Sequence, residues 1–255
     1  MTNRSTHKRR FRSVSIFWLL PNMLTIAGFV SGLTALRFAL DGRWAGVIVL
    51  IAVAAVFDAL DGRTARRFKT QSAFGAALDS LSDLVVFGVV PALCLFVWAL
   101  RDSGNIAWAA TLFYAVSISL RLARFDSELP NPPDYAANYF TGIPAPAAGF
   151  LVMMPIVIDL QFGFEIARQA TYVSVWLVLI GAGAVSTLPT FAGKKLKLPV
   201  DTVLPVLALV GLFGAAIVTE PWITYLAVVT VYVISLPISA LRFAHEKSAQ
   251  AQSDS

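Results

Sequence analysis

The sequence predicts an all-α integral membrane protein of about eight transmembrane helices, and three observations carry that prediction. The chain is 57% hydrophobic and only 14% charged, with a mean hydropathy of +0.72. So few charges cannot cover the surface of a soluble domain this long. Apolar runs of about 18 residues or more recur between residues 19 and 243, the length a helix needs to cross hydrocarbon. Most of the twenty basic residues fall at alternate ends of those runs, as the positive-inside rule requires.

Residues 1–18 are a basic segment in which Arg4, Lys8, Arg9, Arg10 and Arg12 alternate with Phe11, Val14, Ile16, Phe17 and Trp18. It reads either as an amphipathic helix on an anionic leaflet or as a plain basic tail that fixes topology. Spans follow at roughly 19–40, 43–67, 75–100, 105–125, 142–162, 170–190, 202–219 and 221–243. Pro199 and Glu220-Pro221 punctuate the later ones. Residues 19–243 form one transmembrane domain, and 244–255 a polar tail. Placing the N-terminus in the cytoplasm puts Arg63, Arg66, Arg67, Lys69, Arg121, Arg124, Lys194, Lys195, Lys197 and Arg242 on the inner side. Only Arg37, Arg43, Arg101 and Arg168 go to the outer side. Both termini are therefore expected in the cytoplasm.

The composition excludes several function classes. A net charge of +5 does not indicate nucleic acid, because the cations sit at helix ends and in loops. Cys94 alone cannot build a disulfide framework. His7 and His245 lie in the polar tails, away from any histidine-based chemistry in the spans. Pro21 and Asn22 interrupt the first apolar run, against a cleaved leader.

The chemistry is carried by four intramembrane aspartates. Asp58 and Asp61 are i, i+3 on the second span, and Asp79 and Asp83 are i, i+4 on the third, so each pair shares a helical face. The link from Arg67 to Phe74 is short, so the two spans are antiparallel neighbours. Asp58 lies nine residues before Arg67, roughly 13 Å of helix, and the third-span pair falls at similar depth. The four carboxylates can converge just below the cytoplasmic surface. Such acids are costly in a membrane and mark function. Without His or Cys they favour Mg²⁺, Mn²⁺ or Ca²⁺, and two dications would neutralise four carboxylates and suit a phosphate-bearing substrate. Gly62 and Ala65 thin one helix face, Arg66 offers a fork for phosphate oxygens, and Gly75 opens the third span. Asn22 and Thr25, one turn apart, can donate to the same ligand, although Asn22 also reads as a helix cap. Competing readings are buried ion pairs with Arg63, Arg66 and Arg67, and a cation-coupled transporter. The clustering of the acids at one end speaks against a pathway across the bilayer.

Asp58-x2-Asp61-Gly62-x2-Ala65-Arg66-x8-Gly75-x3-Asp79-x3-Asp83 resembles the full signature of the CDP-alcohol phosphotransferase family. That resemblance implies a homodimeric membrane enzyme with a six-helix core, two metal ions and a CDP-linked donor. A hydroxyl attacks the phosphorus distal to the cytidine and releases CMP. It further implies that Asp58, Asp61 and Asp79 hold one ion (Mg²⁺ or Mn²⁺, with Ca²⁺ a non-productive occupant). Asp61, Asp79 and Asp83 contribute to the second ion, and Asp83 is the general base. Gly62, Ala65, Arg66 and Gly75 line the CDP site.

Several stretches resemble the bacterial phosphatidylserine synthase branch. They are Pro21-Asn22-Met23-Leu24-Thr25, Ser80 and Leu84 beside the third-span aspartates, Arg121-Leu122-Ala123-Arg124-Phe125, and Tyr139-Phe140-Thr141-Gly142-Ile143-Pro144. Val86 departs from that branch, which carries a small residue there. The likeness covers residues 15–150 and implies CDP-diacylglycerol and L-serine as substrates. Other acceptors (choline, inositol phosphate, glycerol phosphate) remain alternatives. Serine needs a cationic partner for its carboxylate, and Arg121 and Arg124 are the candidates, Arg124 first. Both also read as interfacial anchors, and the basic Lys194, Lys195, Lys197 loop as a topology signal.

Overall fold

The structure, a computed structural model, describes residues 16–68, 70, 72–127, 139–191 and 202–253. The basic segment through residue 15 and the Lys194, Lys195, Lys197 loop lie outside the described residues. Helices run in the order α1 (Ile16–Leu40), α2 (Trp44–Phe68), α3 (Ala73–Leu100), α4 (Gly104–Ser127), α5 (Ala145–Phe162), α6 (Ala170–Val185), α7 (Val203–Thr219) and α8 (Pro221–Ser253). Six are long and apolar enough to cross a bilayer, and α6 and α7 are shorter apolar helices. The chain is thus an all-α membrane protein, and a helix stands at each of the eight expected positions among the described residues.

The boundaries differ from the sequence reading where local chemistry intervenes. The fifth helix starts at Ala145 rather than 142, because Gly142 has φ of 76° and Pro144 precedes the first turn. The sixth ends at Val185 rather than 190, where Ser186 turns extended (ψ 170°). There the chain pairs Pro189–Phe191 (β2) antiparallel with Tyr139–Thr141 (β1), with Phe140 opposite Thr190. The last helix continues to Ser253 instead of stopping at 243, since residues 244–253 contain no Gly or Pro and are mostly helix formers.

α3 is the most enclosed span. It begins with Ser72 as N-cap, its hydroxyl accepting from the Gly75 N–H at 3.0 Å. Just after Asp83 it widens into a π-helical stretch, Leu84–Val89, with Val90 N–H reaching Val85 O. Pro91 then brings no N–H to the ladder, one donor fewer for the carbonyls of the turn before it, which include Phe87 O. The Tyr114 hydroxyl on α4 takes that carbonyl at 2.8 Å. The same repair recurs in α5: Pro155 frees the Leu151 carbonyl, and Trp176 Nε1 on α6 donates to it at 3.0 Å. The core gathers Phe87, Val90 and Leu95 of α3, Tyr114 and Ile118 of α4, and Leu151 and Ile156 of α5.

Candidate active site

Two helices bring the acids together. α2 presents Asp58 and Asp61, and α3 returns alongside with Asp79 and Asp83. One carboxylate oxygen from each of Asp58, Asp61 and Asp79 lies within 4.8 Å of the other two. Asp83 stands one turn beyond Asp79 and within hydrogen-bonding reach of Asp58. Two carboxylates in contact must share a proton or a cation. Asp61 is only 4% exposed, and the Thr25 hydroxyl donates to its Oδ2 at 2.6 Å. Asp79 Oδ1 is buried with no hydrogen-bond partner. A buried anionic oxygen in that state lacks the cation or donor that would stabilise it. The four acids, Thr25, Ser82 and Val86 enclose a pocket of about 10 Å³, room for one water-sized group. Oxygen-only donors around so small a space fit a divalent cation.

A second cavity, of about 370 Å³, opens beside the first and shares Thr25, Asp61 and Asp79 with it. That volume is in the range of small-molecule sites. Its walls include Asn22, Gly62, Ala65, Arg66 and Gly75, so every residue expected around the CDP moiety meets in one place. The Arg66 guanidinium folds over Gly62, close to where a Cβ would stand, and its charge acts on Asp61. A Cβ on Gly75 would stand 3.1 Å from both Asn22 Oδ1 and Ser72 Oγ. Glycine there keeps the α3 cap and Asn22 in place. The cavity also touches the first turn of α3, whose N-terminus carries a partial positive charge. Thr25 lines this cavity too, with its hydroxyl 2.6 Å from Asp61 Oδ2 and 3.1 Å from the Pro21 carbonyl oxygen.

The two arginines expected near the acceptor part company. Arg121 is 7% exposed, stands over Phe125 with its guanidinium carbon 5.9 Å from the ring centre, and acts electrostatically on Asp83. Arg124 turns to the end of α6, where Nη1 donates to Ser186 O at 3.2 Å and Nη2 to Val185 O at 2.9 Å. Those carbonyls are the unpaired end of a helix, and a cation there also suits the dipole. Gly142 and Ile143 join them, with Gly142 N–H donating to Leu188 O and Ile143 N–H to Gly183 O.

Two residues near the site were not anticipated. Asp126 accepts from Ser80 Oγ at 3.1 Å and places a fifth acid within electrostatic range of Asp79. Tyr232 of α8 lies within the field of Arg121. A signal for it was present, since Tyr232, Ser235 and Ser239 form a polar stripe on an apolar span.

The comparisons with known proteins agree with this geometry. The family pattern described as CDP-alcohol phosphatidyltransferase matches residues 18–188, and a second, CDP-alcohol phosphatidyltransferase 2, matches 201–237. The chain is 33% identical over 236 residues to the CDP-diacylglycerol–serine O-phosphatidyltransferase of Mycobacterium leprae, covering 92% of this chain and 78% of that one. It is 31% identical over 186 residues to the enzyme of the same name from Helicobacter pylori, covering 72% and 76%. Similarity therefore extends well past residue 150, where the motifs stop. The chain belongs to the CDP-alcohol phosphatidyltransferase family, and within it to the phosphatidylserine synthase branch.

Proposed function

We propose that this enzyme transfers a phosphatidyl group from CDP-diacylglycerol to the hydroxyl of L-serine, giving phosphatidylserine and CMP. The observation that carries this reading is the pair of joined cavities. One gathers four carboxylates, and the other gathers every residue expected around CDP. The names of the relatives support serine as acceptor.

Asp58, Asp61 and Asp79 would hold one divalent ion, and Asp61, Asp79 and Asp83 would contribute to a second. Mg²⁺ or Mn²⁺ is the working ion and Ca²⁺ a non-productive occupant. When bound, such ions offset the charge of the diphosphate and of the departing phosphate. Arg66 and the N-terminus of α3 bind the diphosphate, and Gly62, Ala65 and Gly75 leave room for it. Asn22 donates to the nucleotide, and Thr25 holds Asp61 in orientation. Serine enters from the side of Arg121, which takes its carboxylate. Arg121 suits this role better than Arg124, because its charge acts on Asp83, while the Arg124 guanidinium reaches to the end of α6. Asp83 accepts the hydroxyl proton as serine oxygen bonds to the lipid-bearing phosphorus. The bond from that phosphorus to the CMP oxygen breaks, and CMP leaves with the bond's electron pair.

Residues 19–243 act as the single catalytic domain, with 1–18 and 244–255 as flanking segments. The distribution of basic residues supports a cytoplasmic active site and cytoplasmic termini in a bacterial inner membrane. Family likeness supports a homodimer. The direct test is CMP release by purified protein given CDP-diacylglycerol with serine, choline, inositol phosphate or glycerol phosphate. Release dependent on serine, abolished by chelator and restored by Mg²⁺ or Mn²⁺, is expected. Full turnover in excess chelator would remove the metal reading, and release with another alcohol would change the acceptor.

A further inference from the structure

None of the roles assigned so far falls on the apolar end of the acid pocket. Gly28 of α1, Ala54 of α2, and Val86 and Phe87 of α3 line it beside the carboxylates. Gly28 follows Thr25 by three residues, Ala54 precedes Asp58 by four and Val86 follows Asp83 by three, so all three helices present this floor one turn beyond their polar groups. Close approaches make the floor stiff. A Cβ on Gly28 would stand 3.3 Å from the Ala54 carbonyl oxygen, so α1 meets the backbone of α2 there. A Cβ on Gly149 of α5 would stand 3.0 Å from the Phe87 ring. A Cβ on Gly32 would stand 2.8 Å from Val86 Cγ2 and 3.3 Å from its Cγ1, so the isopropyl group fills the hollow that Gly32 leaves. Val86 is buried, and a β-branched side chain in a helical backbone has little rotamer freedom. It borders the acid pocket and is seated in α1 at the same time.

Walls of this kind decide which cation a site takes. Mg²⁺ is held octahedrally at about 2.0–2.1 Å, whereas Ca²⁺ takes about six to eight oxygens at about 2.3–2.6 Å, so selectivity follows cavity size, ligand number and flexibility. A pocket of about 10 Å³ with a stiff apolar floor is narrow, and the floor side chains add no oxygen to complete a larger shell. We propose that Val86, seated on Gly32, sets the size of the metal site and so selects a small dication, Mg²⁺ or Mn²⁺, against Ca²⁺. This rests on the metal reading proposed above and deepens it. The carboxylates attract every dication alike, and the floor supplies the discrimination. Val86 acts as a positioning residue, through the space it leaves and not through a bond to the ion.

Val86→Ala removes two methyl groups and joins the hollow over Gly32 to the acid pocket. Full-length protein without substrate is titrated calorimetrically with Mg²⁺ and with Ca²⁺. The ratio of the Ca²⁺ to the Mg²⁺ dissociation constant should fall about tenfold in Val86→Ala, the low end of the effect of residues around a metal. Gly32→Ala tests the same wall without opening a cavity. Its Cβ drives Val86 toward the acids, so the ratio should rise. The double variant should return toward the wild-type ratio, because the two changes act on one contact. Inhibition of CMP release by Ca²⁺ should be stronger in Val86→Ala and weaker in Gly32→Ala. An unchanged ratio in Val86→Ala, or a shift of the same sign in Gly32→Ala, would overturn the proposal while the metal reading stands. Wild-type protein that binds neither ion would overturn both.

Discussion

The acid cluster between α2 and α3 and the junction of α4, β1 and the end of α6 are both built from residues that resemble family motifs. They differ in how their polar groups are satisfied. At the junction, Arg124 fills the carbonyls of Val185 and Ser186, Thr190 fills Gly142 O, and Gly142 N–H reaches Leu188 O. Between α2 and α3, Asp79 Oδ1 is buried without a partner, and Asp58 and Asp83 crowd each other. A motif shows that a residue has a role, and the state of its hydrogen bonds separates a role in the fold from a role toward a ligand. By that criterion one region serves the fold and the other fits a cation.

The sharpest way to break the comparison is at Asp83. Asp83→Asn retains size and an oxygen but removes the basic carboxylate, so turnover should fall by at least about 100-fold. Binding of CDP-diacylglycerol and the melting point should persist. Near-normal turnover in a CMP-release assay would exclude Asp83 as base. Gly142→Ala tests the region that serves the fold. Its Cβ would stand 2.4 Å from the Ala184 carbonyl oxygen at φ of 76°. A loss on the order of 3 kcal/mol is expected from thermal or denaturant unfolding in detergent. Wild-type stability would mean the junction tolerates rearrangement.

Arg124→Ala should cost about 2 kcal/mol of stability, from two charged hydrogen bonds, with the serine KM unchanged. Arg121→Ala should raise the serine KM. A raised serine KM in Arg124→Ala with no stability loss would invert the comparison. The smallest effect is expected for Tyr114→Phe. It leaves the Phe87 carbonyl unpaired for about 1 kcal/mol in a melting measurement, with kcat and both KM values intact.

Much of this was legible in the sequence because the signals were local. Four aspartates at helical spacing, glycines beside them and an arginine one turn on are fixed by steps of three and four residues, and the helix turns them into a cavity. Span existence followed from hydropathy for the same reason. What stayed hidden depends on partners distant in the chain. Strands of three residues, 50 positions apart, leave no alternation long enough to notice. Nothing in Arg121-Leu122-Ala123-Arg124 tells which arginine turns to the end of a helix 61 residues away. The repeat Tyr232, Ser235, Ser239 was visible, but only the packing of α8 on β2 brings Tyr232 to Thr190 and within the field of Arg121.

The two prolines also bear on how the protein is made. α3 released alone into lipid would carry the Phe87 carbonyl into hydrocarbon with no donor, a burden of several kcal/mol. Its donor arrives with α4, the next helix synthesised. α5 stands in the same relation to α6 through Leu151 and Trp176. Insertion as two consecutive hairpins, α3–α4 and α5–α6, would bring each of these carbonyls its donor as it enters the bilayer.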